Sequence, residues 1–207
     1  MSWYLNPVQV KRFAEQKTRE PIYSANAERL LTAMLSEYDK RPSDYITFDI
    51  FLSYRAVDTE YAGGVYAFLT GLGYLVYLDR VMDPDLDRSK VNSETATRLR
   101  KRLMQSLSLF YIVSENSAES KWMPWELGFE DGYRAKSAIV PIADKYRGEF
   151  RGIEFVAIYP KVIPAHDASL VFITTPDESG DLTEFKLWRD GMPDRKCGMP
   201  KCPLPTG

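Results

Sequence analysis

Whatever chemistry this chain performs has to be done without most of the usual catalytic side chains. Its 207 residues contain one histidine, His166, and two cysteines, Cys197 and Cys202. His166 has no Ser or Cys nucleophile in a recognisable context, so histidine-based nucleophilic catalysis is nearly excluded. The cysteines stand in a Pro- and Gly-rich C-terminal run with nothing else to staple, and read as two free thiols. A zinc site would have to recruit His166 and a carboxylate, for which the spacing offers no support, so no metal is expected. Carboxylates, Arg, Lys, Tyr and Ser must carry any reaction. The most informative pair is Trp122 and Glu126, which lie four apart and share one face if the segment is helical. Taken alone, the same pair also suits a packed tryptophan beside a solvated carboxylate.

The elements that would position these residues alternate. Residues 45–52 are a nearly continuous run of β-branched and aromatic side chains, as expected for a strand buried on both faces. A helical pattern over 58–71 ends at Gly73. A second strand follows at 74–78, closed by Asp79, and then a polar loop at 80–93. A helix over 94–106, a strand over 107–113, a helix over 121–134 and a strand over 138–142 complete the regular part. Residues 155–159 are expected to form the fifth strand. Ser120 is a candidate N-cap, and Pro124 requires the helix at 121–134 to begin just before it. This order indicates a parallel α/β sheet with helices on both faces. Residues 7–40 read as two helices split at Pro21. After Pro160 regularity fades, with one further strand possible at 169–174 and a short strand or helix end at 185–188.

Composition excludes whole classes. Hydrophobic residues make up 44% and the formal net charge is -2, which argues against disorder and against a dedicated nucleic-acid binder. No apolar run is long enough to cross a membrane, and no secretory signal is visible. The segment 86–105 carries Arg88, Lys90, Arg98, Arg100, Lys101 and Arg102 against Asp87 and Glu94. It reads first as a solvated basic helix face.

Phe48-Asp49-Ile50-Phe51-Leu52-Ser53-Tyr54-Arg55 resembles the opening strand and loop of a TIR (Toll/interleukin-1 receptor) domain. Gly73–Asp79, Ser106–Ser114 and Ile139-Val140-Pro141-Ile142 resemble its later strands, in the right order and at the right distances. Ser120-Lys121-Trp122-Met123-Pro124-Trp125-Glu126-Leu127 resembles the W-x-x-x-E stretch of TIR domains that cleave NAD, in which the glutamate is catalytic. The resemblance covers about 46–160. It implies a flavodoxin-like α/β TIR fold with a central parallel five-stranded sheet at 45–160. A helical extension at 1–44 precedes it and a partly irregular extension at 161–207 follows.

The same resemblance implies a stand-alone bacterial-type enzyme that takes NAD+ as substrate and needs no cofactor. It would release nicotinamide and form ADP-ribose or a cyclic derivative. It further implies activation by self-association through the 80–93 loop and adjacent helix, a cytoplasmic location, and a place in antiphage signalling with an effector that recognises an ADP-ribose signal. No membrane or nucleic-acid partner is expected. A non-enzymatic adaptor working through TIR–TIR contacts is the alternative, and a deoxyribosyltransferase-like glycosyl enzyme a more distant one.

The chemistry suits the residues. Nicotinamide is bound as a cationic pyridinium and departs neutral, so it needs no proton and one carboxylate can suffice. Glu126 near a helix N-terminus is expected to be ionised, with Trp122 shaping the pocket and Trp125 packing in the core. Ligands in open α/β sheets lie beyond the carboxyl ends of the strands. That places Ser53, Tyr54, Arg55, Asp79 and Ser114 along one edge near Glu126. Arg55 would hold the pyrophosphate and Tyr54 stack on a ring. No G-x-G-x-x-G follows the first strand, which disfavours a Rossmann mode of binding.

Overall fold

The structure, a computed structural model, describes residues 8–10, 12, 46–142, 154–175 and 182–191. Most of the helical arm expected at 7–40, and both cysteines, lie outside the described residues. Residues 8–10 and 12 are helical.

Continuous apolar runs make strands covered on both faces. β1 (Ile50–Ser53), β3 (Leu109–Val113) and β4 (Ser137–Pro141) are buried at every residue. β2 is short, Val76–Tyr77. These four and β5 (Lys161–Pro164) are parallel and lie in the order β2-β1-β3-β4-β5. That is the flavodoxin-like order, whose switch point falls between β1 and β3. The sheet then continues through β6 (Val171–Thr174) and β7 (Thr183–Glu184), both antiparallel to their neighbours. The five parallel strands match the expected core, and two antiparallel strands widen it.

The expected strand at 155–159 is corrected. Glu154–Ile158 is a 3-10 turn in which only Val156 is buried, and Ile158 is 68% exposed. A strand at this depth of the sheet must bury alternate side chains on both faces, and this run offers only one. The fifth strand starts after Pro160, where Val162 and Ile163 are covered.

α1 (Thr59–Gly71) is buried on most of its surface and ends where Gly73 turns with φ 88°. The loop expected at 80–93 opens with a helical turn, α2 (Asp79–Met82). α3 (Ser93–Met104) is capped by Asn92, whose side chain accepts the Thr95 N–H at 2.8 Å. α4 (Met123–Arg134) begins just before Pro124, and Ser120 Oγ accepts the Met123 N–H at 3.2 Å. α5 (Phe185–Arg189) follows β7, and Phe185 packs edge-on against Phe110, with ring centroids 5.0 Å apart.

The basic segment is not a plain solvated face. Arg102 is buried and grips Asp83 through Nε at 2.8 Å and Nη2 at 3.0 Å, and Tyr77 donates to the same carboxylate at 2.8 Å. Arg98 pairs with Asp85 at 2.9 Å. Thr95 donates to the Asp87 carbonyl at 2.9 Å. The chain between α2 and α3 is therefore strapped onto α3 by ion pairs and a backbone contact. A buried two-pronged Arg–carboxylate pair of this kind fixes geometry more than it adds net stability.

Candidate active site

A cavity of about 790 Å³ opens beyond the carboxyl ends of β1 and β2, a size typical of small-molecule sites. Tyr54, Arg55, Asp79, Arg88, Lys121 and Trp122 are among the residues lining it. β1 delivers Ser53, Tyr54 and Arg55; β2 delivers Asp79; the turn into α4 delivers Lys121 and Trp122. Glu126 lies one helical turn beyond Trp122, whose carbonyl accepts the Glu126 N–H at 2.8 Å.

Glu126 is fully buried. Its Oε2 accepts from Ser53 Oγ at 2.6 Å, and its Oε1 accepts from Arg88 Nη2. Arg88 Nη1 donates to Asp79 Oδ2. Asp79 is held from the other side, where the Arg80 N–H donates to Oδ1 at 2.8 Å. Trp122 Nε1 donates to the Arg88 carbonyl at 3.0 Å. One guanidinium thus lies between two carboxylates, and the indole fixes the backbone that carries it.

The electrostatics follow. Burial pushes the Glu126 carboxyl above its ordinary value; Arg88 and Ser53 oppose that rise and Asp79 adds to it. The helix N-terminus that the sequence reading expected to favour the ionised form works here against complete desolvation. Arg88 stays firmly protonated, because Glu126 and Asp79 more than offset its own burial. Tyr54 is pushed up by burial and by Asp79, so its hydroxyl is a donor at any physiological pH. It lies beside Asp79, yet its Oη closes no hydrogen bond of normal geometry.

Six of the seven residues expected at the site, Ser53, Tyr54, Arg55, Asp79, Trp122 and Glu126, come together here. Ser114 does not. Its Oγ donates to Asp58 Oδ2 at 2.6 Å, in a network that also ties Asn116 to Asp58 at 2.7 Å. Arg55 lines the cavity, but its guanidinium is engaged by Glu119 and by the Asn116 carbonyl at 3.1 Å. Tyr54 is 4% exposed and forms part of the cavity wall. Trp122 lines the cavity as expected, whereas Trp125 is less buried than the core position expected of it. Trp122 is nearly buried at the cavity wall. Trp125 is half-buried, stacked on Phe129 at 5.9 Å with Arg100 over its ring.

Arg88 is the site residue that sequence reasoning missed. It appeared there only as one charge in a basic segment. Its role depends on the fold returning the 83–92 chain over α4, for which no local pattern exists. Arg80 and Lys121 also line the cavity, and neither makes an ion pair among the described residues. No helix among the described residues is long and apolar enough to cross a membrane, and no group of His, Cys, Asp and Glu there could hold a metal ion.

A search against family models finds no match. Comparison with curated proteins is decisive. Over 137 residues the chain is 43% identical to a probable 3' cyclic ADP-D-ribose synthase, ThsB', of Bacillus cereus (strain MSX-D12), covering 66% of this chain and 69% of that protein. This chain belongs to the bacterial TIR-domain family. A second relative is a putative cyclic ADP-D-ribose synthase, TIR2, of Cytobacillus dafuensis, 27% identical over 109 residues. That match spans 52% of this chain and 29% of the relative. In TIR terms, the cavity lies where β1, β2 and the W-x-x-x-E turn of α4 converge.

Proposed function

We propose that this TIR protein cleaves NAD+ at the bond between nicotinamide and ribose and closes the remaining ADP-ribose into a cyclic product, with hydrolysis to ADP-ribose as the side reaction. The observation that carries the reading is the Glu126 carboxylate, buried behind the Arg88 that lines a cavity of about 790 Å³ and held by Ser53 and Arg88. Both relatives carry cyclic ADP-D-ribose synthase in their names. An adaptor working only through surface contacts has no use for a desolvated carboxylate beneath a cavity, since burying that charge is costly.

Glu126 stabilises the positive charge that develops on the ribose as the pyridinium leaves. Fixed oppositely charged groups in a water-poor site are the strongest single contributor to such steps. Trp122 walls the nicotinamide end, and Arg80 and Lys121 offer unpaired cations to the phosphates. The free chain is self-limiting in the present arrangement, because Arg88 occupies the place beside Glu126 that substrate needs. Self-association through the strapped 83–92 segment and α3 is the step that frees it, and the product signal serves defence against phage through an effector that reads it.

The test is incubation of concentrated protein with NAD+, followed by product chromatography, beside Glu126→Gln. Nicotinamide release that rises more steeply than protein concentration and is lost in the variant supports the reading. No release at any concentration overturns it. Equal release by Glu126→Gln removes Glu126 from the reaction.

A further inference from the structure

The two carboxylates at the cavity are built alike. Each has one oxygen tied to a donor of the protein: Glu126 Oε2 to Ser53 Oγ at 2.6 Å, and Asp79 Oδ1 to the Arg80 N–H at 2.8 Å. Each presents its other oxygen to the same guanidinium, Glu126 Oε1 to Nη2 and Asp79 Oδ2 to Nη1 of Arg88. A guanidinium is a planar, delocalised monocation. The nicotinamide end of NAD+ is also a planar, delocalised monocation. When Arg88 yields its place to substrate, both free carboxylate oxygens face the reacting centre, a few ångströms apart.

One carboxylate is enough to expel nicotinamide, so the second asks for a separate task. The cleaved ribose must be captured by a hydroxyl, either one of the adenosine ribose in cyclisation or that of water in hydrolysis. That hydroxyl carries a proton, which has to leave as the new bond forms. Glu126 is fully enclosed, whereas Asp79 lines the open cavity from which the other half of the dinucleotide approaches.

We propose that Asp79 is the general base of the capture step, taking the proton of the attacking hydroxyl while Glu126 holds the charge on the ribose. The carbon–nitrogen bond breaks and its electron pair leaves with nicotinamide, which departs neutral. The hydroxyl oxygen bonds to the anomeric carbon, and its proton passes to Asp79 Oδ2 and then to solvent. Positioned bases contribute about 10²–10⁴-fold to such steps. The inference rests on the NAD+-cleaving reading and assigns a second residue within it.

The two carboxylates are separable by a nucleophile that has no proton to lose. The ring nitrogen of a substituted pyridine, such as 3-acetylpyridine, attacks through its lone pair and returns a dinucleotide. With NAD+ and excess 3-acetylpyridine, Asp79→Asn is expected to lose cyclised and hydrolysed products about 100-fold while keeping the exchange product. Glu126→Gln loses all three, and Asp79→Glu restores part of the cyclisation. Proportional loss of exchange and cyclisation in Asp79→Asn, or retained cyclisation, overturns the assignment while leaving NAD+ cleavage intact. A wild-type protein that releases no nicotinamide overturns the underlying reading instead. Should Asp79→Asn fail to fold, the wild type still decides. The ratio of cyclised to exchanged product falls in heavy water, because only capture by a hydroxyl transfers a proton, and an unchanged ratio overturns the proposal.

Discussion

Arg88 closes over Glu126. Its guanidinium bonds the carboxylate directly, and the residue lines the cavity while Glu126 is sealed beneath it. The arrangement has an energetic consequence that can be measured. Replacing Arg88 with Ala leaves Glu126 and Asp79 buried and close together without a cation. Breaking a buried pair by removing one partner costs about 3 kcal/mol. The loss is expected to be largest near pH 8 and smaller near pH 5, where protonation of Glu126 relieves it. Thermal melts of Arg88→Ala at the two pH values check this, and an equal loss at both contradicts it.

Ser53 acts on the same carboxylate from the strand side. Its hydroxyl stabilises the ionised form of Glu126, so Ser53→Ala raises a carboxyl that burial has already pushed up. A hydrogen bond to a charged group is worth about 1.5 kcal/mol. If the ionised carboxylate is the working form, the acid limb of nicotinamide release lies above the ordinary carboxylate range in the wild type. In Ser53→Ala it moves higher still. A pH–rate profile reads this directly, and an unmoved limb would show that Ser53 does not tune Glu126.

One turn further along α4, Glu130 is a different kind of buried acid. It is fully enclosed, neither carboxylate oxygen has a hydrogen-bond partner, and Arg134 stands 4.0 Å away. Burial pushes its pKa up to about 7, with Arg134 opposing. The folded state therefore holds a proton that the unfolded chain has released above its ordinary value near 4.5. That stabilisation is fully present below pH 4.5 and is lost as pH rises through 7. Glu130→Gln keeps the shape without the charge. It is expected to melt like the wild type at pH 5 and higher at pH 8, by about 2 kcal/mol or roughly 5 °C. A variant that melts lower at pH 8 would show that the charged form has partners worth keeping.

These carboxylates also mark where sequence reading stops. The parallel sheet was legible because β1, β3 and β4 are unbroken apolar runs, and the start of α4 because Pro124 admits only a first turn. Ser53, Tyr54, Asp79 and Glu126 converge because strand ends in this topology share one edge. The 154–158 turn was misread because Phe155, Ile158 and Tyr159 have strand-like side chains, although the chain buries only Val156 there. The pairing of Arg88 with Asp79 and Glu126 spans 9 and 38 residues and has no periodic signature. The desolvation that raises Glu126 depends on what covers it, which local helix-end arguments do not see.

The described N-terminal residues dock at one point that tests the packing of the arm. Val10 is fully buried, and a Cβ built on Gly64 of α1 would lie 2.2 Å from the Val10 carbonyl oxygen and 2.3 Å from its Cγ1. Only a residue without a side chain admits this approach, and the nearest obstacle is backbone, which cannot simply rotate away. Gly64→Ala must therefore displace Val10, although alanine is otherwise the better helix former by about 1 kcal/mol. Overpacking of this kind costs about 1–3 kcal/mol, so the variant is expected to be less stable in spite of its helix propensity. It should also be cut faster than the wild type by protease near residue 10. A Gly64→Ala protein as stable and as protease-resistant as the wild type would show that Val10 does not seat against α1.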